Sequence, residues 1–124
     1  MGAVRFAGYA AIFDVPDRGG DVLRRGAFAG AGRVPLLWQH RGAPVGVIEA
    51  LAEDSRGLRV IGRVDAGAAA DAVRGGALNG LSFGFRVGAA RQGRWREITA
   101  VRLLEVSLVA QPMQHWARVH AVEG

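Results

Sequence analysis

The apolar positions of this chain fall into short runs broken by clusters of Gly, Pro, Asp and Asn, a pattern that predicts strands rather than long helices. Residues 3–13 are mostly apolar and β-compatible, and VPDRGGD (15–21) is dense in turn formers. RRGAFAGAG (24–32) is too rich in Gly for a stable helix beyond one short turn around Ala27 and Phe28. PLLWQH (35–40), VGVIEAL (45–51) and GLRVIGRVD (57–65) each predict a strand, and Glu53, Asp54 and Ser55 supply the polar connection of a hairpin between the last two. DAGAAADAVRGGAL (65–78) changes character: its Ala content predicts a helix with Asp65 as N-cap and an end at Gly75 and Gly76. LSFGFRV (81–87), WREITAV (95–101) and LLEVSLVA (103–110) return to strand. About seven short strands with one or two flanking helices predict a mainly β fold, a closed or nearly closed antiparallel β-barrel, because closure removes exposed edges.

Composition narrows the function. A chain of 124 residues fits one domain, 1–124, and half of it is apolar, enough for burial to drive folding. Cys is absent, which excludes disulfides, thiolate metal sites and cysteine nucleophiles. The apolar runs fall well short of the ~20 residues of a membrane span, and the N-terminus lacks the layout of a secretory signal. A cytoplasmic protein is the expectation, with neither membrane partner nor cofactor, since three scattered histidines make no metal-ligand cluster. The net charge is +5, and every one of the 16 basic side chains is Arg. A GC-rich coding bias yields the same surplus of Arg, Ala and Gly; an electrostatic footprint for nucleic acid is the functional alternative. The arginines stand singly among carboxylates, and only Arg91, Arg94 and Arg96 cluster, in a stretch that reads as a hairpin tip. A dedicated, specific nucleic-acid surface is therefore not expected.

The candidate chemistry is confined to few residues. Nucleophile candidates are Ser55, Ser82, Ser107 and Thr99, with Tyr9 a distant outsider, and His occurs only at 40, 115 and 120. Without Lys, a Ser–Lys dyad is excluded as well. Ser55 falls in a charged turn, where a hydroxyl ordinarily bonds local backbone. Ser82 follows the turn residues Asn79 and Gly80, and alternation puts it with Gly84 and Arg86 on the sparsely filled face opposite Leu81, Phe83 and Phe85. Gly84 leaves room beside the hydroxyl for an approaching backbone, although a strand serine taken alone is more often structural. His40 ends its apolar run, on one face with Leu36 and Trp38; taken alone it reads as a satisfied edge or core histidine. Glu105 interrupts the most apolar segment, Leu103 to Val109. An unpaired buried carboxylate costs several kcal/mol, so it requires a partner. That partner is either a histidine, whose tautomer it would fix, or an arginine such as Arg102 or Arg63.

The blocks GYAAIFDVPDRGGDVLRRGAF, PLLWQH, GALNGLSFGF and LLEVSLVAQP, in this order and spacing from Gly8 to Ala117, resemble those of the tailed-phage prohead (capsid maturation) serine proteases. The resemblance implies a fold similar to the herpesvirus assembly proteases, a mainly antiparallel barrel flanked by helices. It implies an endopeptidase that trims scaffolding segments from capsid subunits within assembling capsids, with the major capsid protein or a scaffold segment as partner. A homo-oligomer is compatible with it. By this likeness Ser82 is the nucleophile and His40 the base, and Glu105 is taken as the third catalytic member. Herpesvirus-type relatives use a second histidine in that role, which keeps His115 as a rival. Backbone N–H groups of Phe83 and Gly84, helped by Arg86, are the oxyanion candidates.

Two departures bear on the expectation. The segment between Phe28 and Pro35 is shorter than the family pattern, and Met113-Gln114-His115-Trp116-Ala117 stands where a small residue, Asn and Pro are more usual. A compact version, as in a prophage or gene-transfer-agent cluster, fits both. The rival readings are a catalytically inactive capsid-assembly factor that retains the barrel and a plain nucleic-acid-binding barrel.

Overall fold

A computed structural model describes residues 2–124 and folds their alternating segments into eight strands and one helix. The strands are β1 (Val4–Ile12), β2 (Asp21–Leu23), β3 (Pro35–Trp38), β4 (Arg41–Glu53), β5 (Gly57–Val64), β6 (Gly80–Gln92), β7 (Arg96–Val109) and β8 (Val119–Glu123), with α1 (Ala68–Arg74) between β5 and β6. They form one sheet in the order β2–β7–β3–β4–β5–β1–β8, with β6 also paired to β7. The two segments expected on either side of Arg102 are one strand of 14 residues, because β6 runs antiparallel beside both of them. That length lets β7 hold β6 on one edge and two short parallel strands on the other, β2 at Arg96–Ile98 and β3 at Val106–Leu108. The sheet is therefore mixed rather than wholly antiparallel.

Of the expected closed or nearly closed antiparallel barrel, the hydrogen-bonded ladder does not make the closed form. The stretch 110–118, which would have to close it, contains Pro112 and folds as turns. It supplies one isolated bridge, Gly80 to Arg118, flanked by backbone bonds from Leu81 N to Ala117 O (2.9 Å) and from Val119 N to Asn79 O (2.8 Å). This stretch is nonetheless pinned: the buried Gln114 amide accepts from Ile12 N and donates to Ile12 O, both at 2.8 Å.

The inward face carries Phe6, Leu36, Ile48, Leu58, Val60, Leu81, Ile98, Val106 and Leu108, all buried. Helix α1 adds Ala69, Ala70 and Val73. Its N-cap is Gly67, which makes no side-chain cap; Asp65, the expected cap, instead continues the strand with its N–H on Val45 O and its carboxylate on Arg63. The helix ends as expected at Gly75, and Gly76 takes the left-handed φ of 82° that suits Gly. Residues 24–31 form turns without a helix, and Glu53 holds them by accepting from the Gly26 and Phe28 N–H groups at 2.8 Å. Among the described residues no helix is long and apolar enough to cross a membrane.

Candidate active site

β3 and β4 are joined by a two-residue turn, with Trp38 paired to Arg41 across Gln39 and His40. Both turn residues have positive φ, 55° and 61°, as a tight hairpin of this kind demands. Neither is Gly or Asn, so each backbone strain costs about 1–3 kcal/mol. The turn is held from β7: Gln39 N donates to Leu108 O at 2.9 Å and His40 N donates to Ser107 Oγ at 3.1 Å. His40 thus leaves the strand face it was expected to share with Leu36 and Trp38. The chain reverses after Trp38, and the imidazole lies against the side of β7 that carries Glu105 and Ser107.

There His40 Nδ1 meets Glu105 Oε1 at 2.5 Å, across 65 residues of sequence. The other carboxylate oxygen, Oε2, accepts from Ser107 Oγ at 2.6 Å. The partner of the carboxylate is therefore histidine; Arg63 is turned to Asp65 instead. Glu105 is nearly enclosed, its side chain 13% exposed, while His40 stays open at 43%. A carboxylate at Nδ1 favours the tautomer protonated there, and Nε2 makes no hydrogen bond among the described residues.

Ser82 enters through the β6–β7 register, in which Ser82 stands opposite Ser107 and Gly84 opposite Glu105. Opposite residues of an antiparallel pair share a face, with Cβ atoms about 4.5–5.5 Å apart, so Ser82 lies on the Glu105 and Ser107 side, away from Leu81 and Val106. Both serines are buried, at 7% and 0% exposure. The space beside Ser82 that Gly84 was expected to open for substrate is used internally: a Cβ on Gly84 would collide with Oε1 of Glu105. The register slips just after this point, leaving Leu104 as an extra, 40% exposed residue between Glu105 and Leu103, a bulge of the kind that re-aims side chains beside active sites.

On its far side Ser82 borders a small cleft of about 100 Å³, with Phe83, Phe85, Asp17, Met113 and Gln114 among its walls. The Leu81 N–H points to Ala117, away from β7. Strand alternation turns the Phe83 N–H the same way, toward the cleft, and the Gly84 N–H toward β7. Of the oxyanion candidates, Phe83 is thus the one with a donor on the cleft side. Arg86 is exposed, faces Arg102 across the hairpin and does not line the cleft. His115 lies in the 113–116 turns with its ring edge-on to Trp116 at 4.7 Å, and its carbonyl accepts from Arg118. Ser107, one of the nucleophile candidates in the sequence, is placed here as a bridge between the Glu105 carboxylate and the His40 N–H, as its place two residues after Glu105 on the same strand face allows.

The chain matches, over residues 2–124, the family model described as caudovirus prohead serine protease. The prohead protease of Enterobacteria phage HK97 is 34% identical over 137 residues, an alignment covering 96% of this chain and 60% of that protein. The chain thus spans three-fifths of the length of this relative. Among solved structures, the KSHV protease, in a complex with a hexapeptide phosphonate inhibitor, superposes with a TM-score of 0.69 at 14% identity, covering 100% of this chain and 66% of that one. At that identity the likeness is one of fold.

Proposed function

From the premise that the chain belongs to the caudovirus prohead serine protease family, we propose that it is a serine endopeptidase that trims scaffolding segments from capsid subunits in assembling capsids. Ser82 is the nucleophile, His40 the general base and Glu105 the group that orients it. The observation that carries this reading is the His40–Glu105 contact of 2.5 Å on the sheet side that also bears Ser82. In the acylation step, Ser82 Oγ attacks the peptide carbonyl and its proton passes to His40 Nε2. Glu105, already bonded at Nδ1, stabilises the imidazolium that forms. The charge developing on the carbonyl oxygen is met by the Phe83 N–H. Return of the proton to the leaving amine and attack by water on the acyl-enzyme complete the cycle. His115, packed on Trp116, has no comparable contact with His40, which favours Glu105 as third member. The compact 28–35 segment fits a prophage or gene-transfer-agent element as host.

A fluorophosphonate probe tests the assignment. Labelling of the folded protein is expected to vanish in Ser82→Ala and persist in Ser55→Ala. Labelling that survives Ser82→Ala removes Ser82 from the mechanism, and a folded wild-type chain that neither labels nor cleaves a capsid-derived substrate favours the inactive assembly factor.

A further inference from the structure

Arginines scattered along the sequence are assembled by the fold into one groove. Tyr9 of β1, Arg56 and Arg59 of the β4–β5 hairpin, and Trp116, Arg118 and His120 near the C-terminus line a cleft of about 520 Å³. Arg118 also borders an adjoining cleft of about 280 Å³ that contains Arg18 and His115. Neither cleft shares a lining residue with the one beside Ser82.

What distinguishes these guanidinium groups is how they are held. Elsewhere carboxylates neutralise arginines: Glu49 binds Arg5, Asp71 binds Arg74 and Asp21 binds Arg96. In the groove Arg118, Arg18 and Arg56 are held by neutral groups, and the Arg59 guanidinium makes no hydrogen bond or ion pair among the described residues. Arg118 donates to His115 O and Asn79 Oδ1, both at 2.9 Å, Arg18 donates to Gln111 Oε1 at 3.4 Å, and Arg56 lies 5.2 Å over the Tyr9 ring. Asp54, the nearby carboxylate, spends its hydrogen bonds on the Tyr9 hydroxyl and the Arg56 and Gly57 N–H groups and reaches Arg59 only through its charge, without a hydrogen bond. Guanidinium groups positioned in this way keep their full charge and unused donors for a ligand.

We propose that this groove binds an acidic segment of a partner polypeptide. Arg forks match carboxylates bidentately, and Trp, Tyr and Arg are the residue types that most often anchor protein interfaces; Trp116 is 62% exposed. Single-stranded nucleic acid is less well served, because stacked bases need open ring faces. Tyr9 is already covered by Arg56 and packs on His120 at 5.9 Å, and Trp116 is met by His115.

The test is fluorescence anisotropy at low salt with the Ser82→Ala chain, which cannot cleave the probe and keeps binding separate from the catalytic reading. The probes are a fluorescein-labelled Glu-rich decapeptide carrying one Leu and a labelled dT decamer. Peptide affinity is expected to fall at least about tenfold on adding Arg59→Ser with Arg118→Ser, and about twofold or less on adding Arg33→Ser with Arg102→Ser, the same loss of charge outside the groove. Circular dichroism checks folding, and Arg59→Glu alone repeats the test should the Arg118 change unfold the chain. Equal losses in the two double variants reduce the effect to net charge and overturn the proposal. Tighter binding of the dT decamer, lost with Trp116→Ala, overturns it in favour of nucleic acid.

Discussion

The carboxylate of Glu105 lies across the Cα of Gly84, its cross-strand partner, in the space that a Cβ at position 84 would occupy. The residue opposite the carboxylate must therefore lack a side chain for the His40 contact to form as it does. Gly84→Ala is expected to fold and to push Glu105 away from His40. A displacement of about 1 Å in a reacting group costs on the order of a hundredfold in turnover, measured with a capsid-derived peptide. A Gly84→Ala enzyme with normal kcat disproves the dependence.

Glu105→Gln keeps the shape of the side chain and removes its charge. The amide no longer stabilises the imidazolium and can present its NH₂ to Nδ1, favouring the wrong tautomer. Loss of an orienting carboxylate lowers kcat by about 10⁴-fold in a comparable triad, and a loss of that order is expected here with the fold intact by circular dichroism. His115→Ala, remote from the His40 contact, is expected to lose far less. The reverse ranking would make the third member histidine.

Ser107 uses its one hydroxyl twice, donating to Glu105 Oε2 and accepting from His40 N. Ser107→Ala leaves the His40 N–H without its acceptor in a strained turn, which is expected to lower stability by about 1–3 kcal/mol. The activity is expected to fall while phosphonate labelling of Ser82 continues at a slower rate. Labelling abolished by Ser107→Ala and retained by Ser82→Ala would exchange the roles of the two serines.

The acid limit of stability has a visible contributor in Asp21, whose carboxylate bonds Arg96 through both oxygens at 2.8 Å and ties β2 to β7. The Arg96 hydrogen bonds hold the Asp21 carboxyl below its ordinary 3.8, against the opposing effect of partial burial. A lowered native pKa means that the unfolded chain takes up the proton first. The stabilisation is thus complete above 3.8 and is lost as pH falls below it through the native value. The Tm gap between wild type and Asp21→Asn is expected to narrow across that range; a gap independent of pH contradicts the linkage.

Local pattern determined most of the strands and the short list of chemical candidates. Period-two alternation marks LSFGF and LLEVS whatever they pair with, the polar Glu53–Ser55 link marks its hairpin, and Gly75–Gly76 marks the end of the helix. The absence of Cys and Lys leaves Ser, His and Glu, and Glu105 is conspicuous because a carboxylate in an apolar run needs a partner. Which partner it has is not a local property. His40 reaches Glu105 because β3 runs parallel to β7 and because Gln39 and His40 accept positive φ, and both depend on contacts 65 or more residues away. The three-residue β2 carries too little pattern to declare itself and exists through β7. The open sheet is equally non-local, since alternation shows that strands have edges but not which edges meet. The arginine groove follows the same rule: residues 9, 18, 56, 59, 116, 118 and 120 read as isolated positions until the sheet sets their segments side by side.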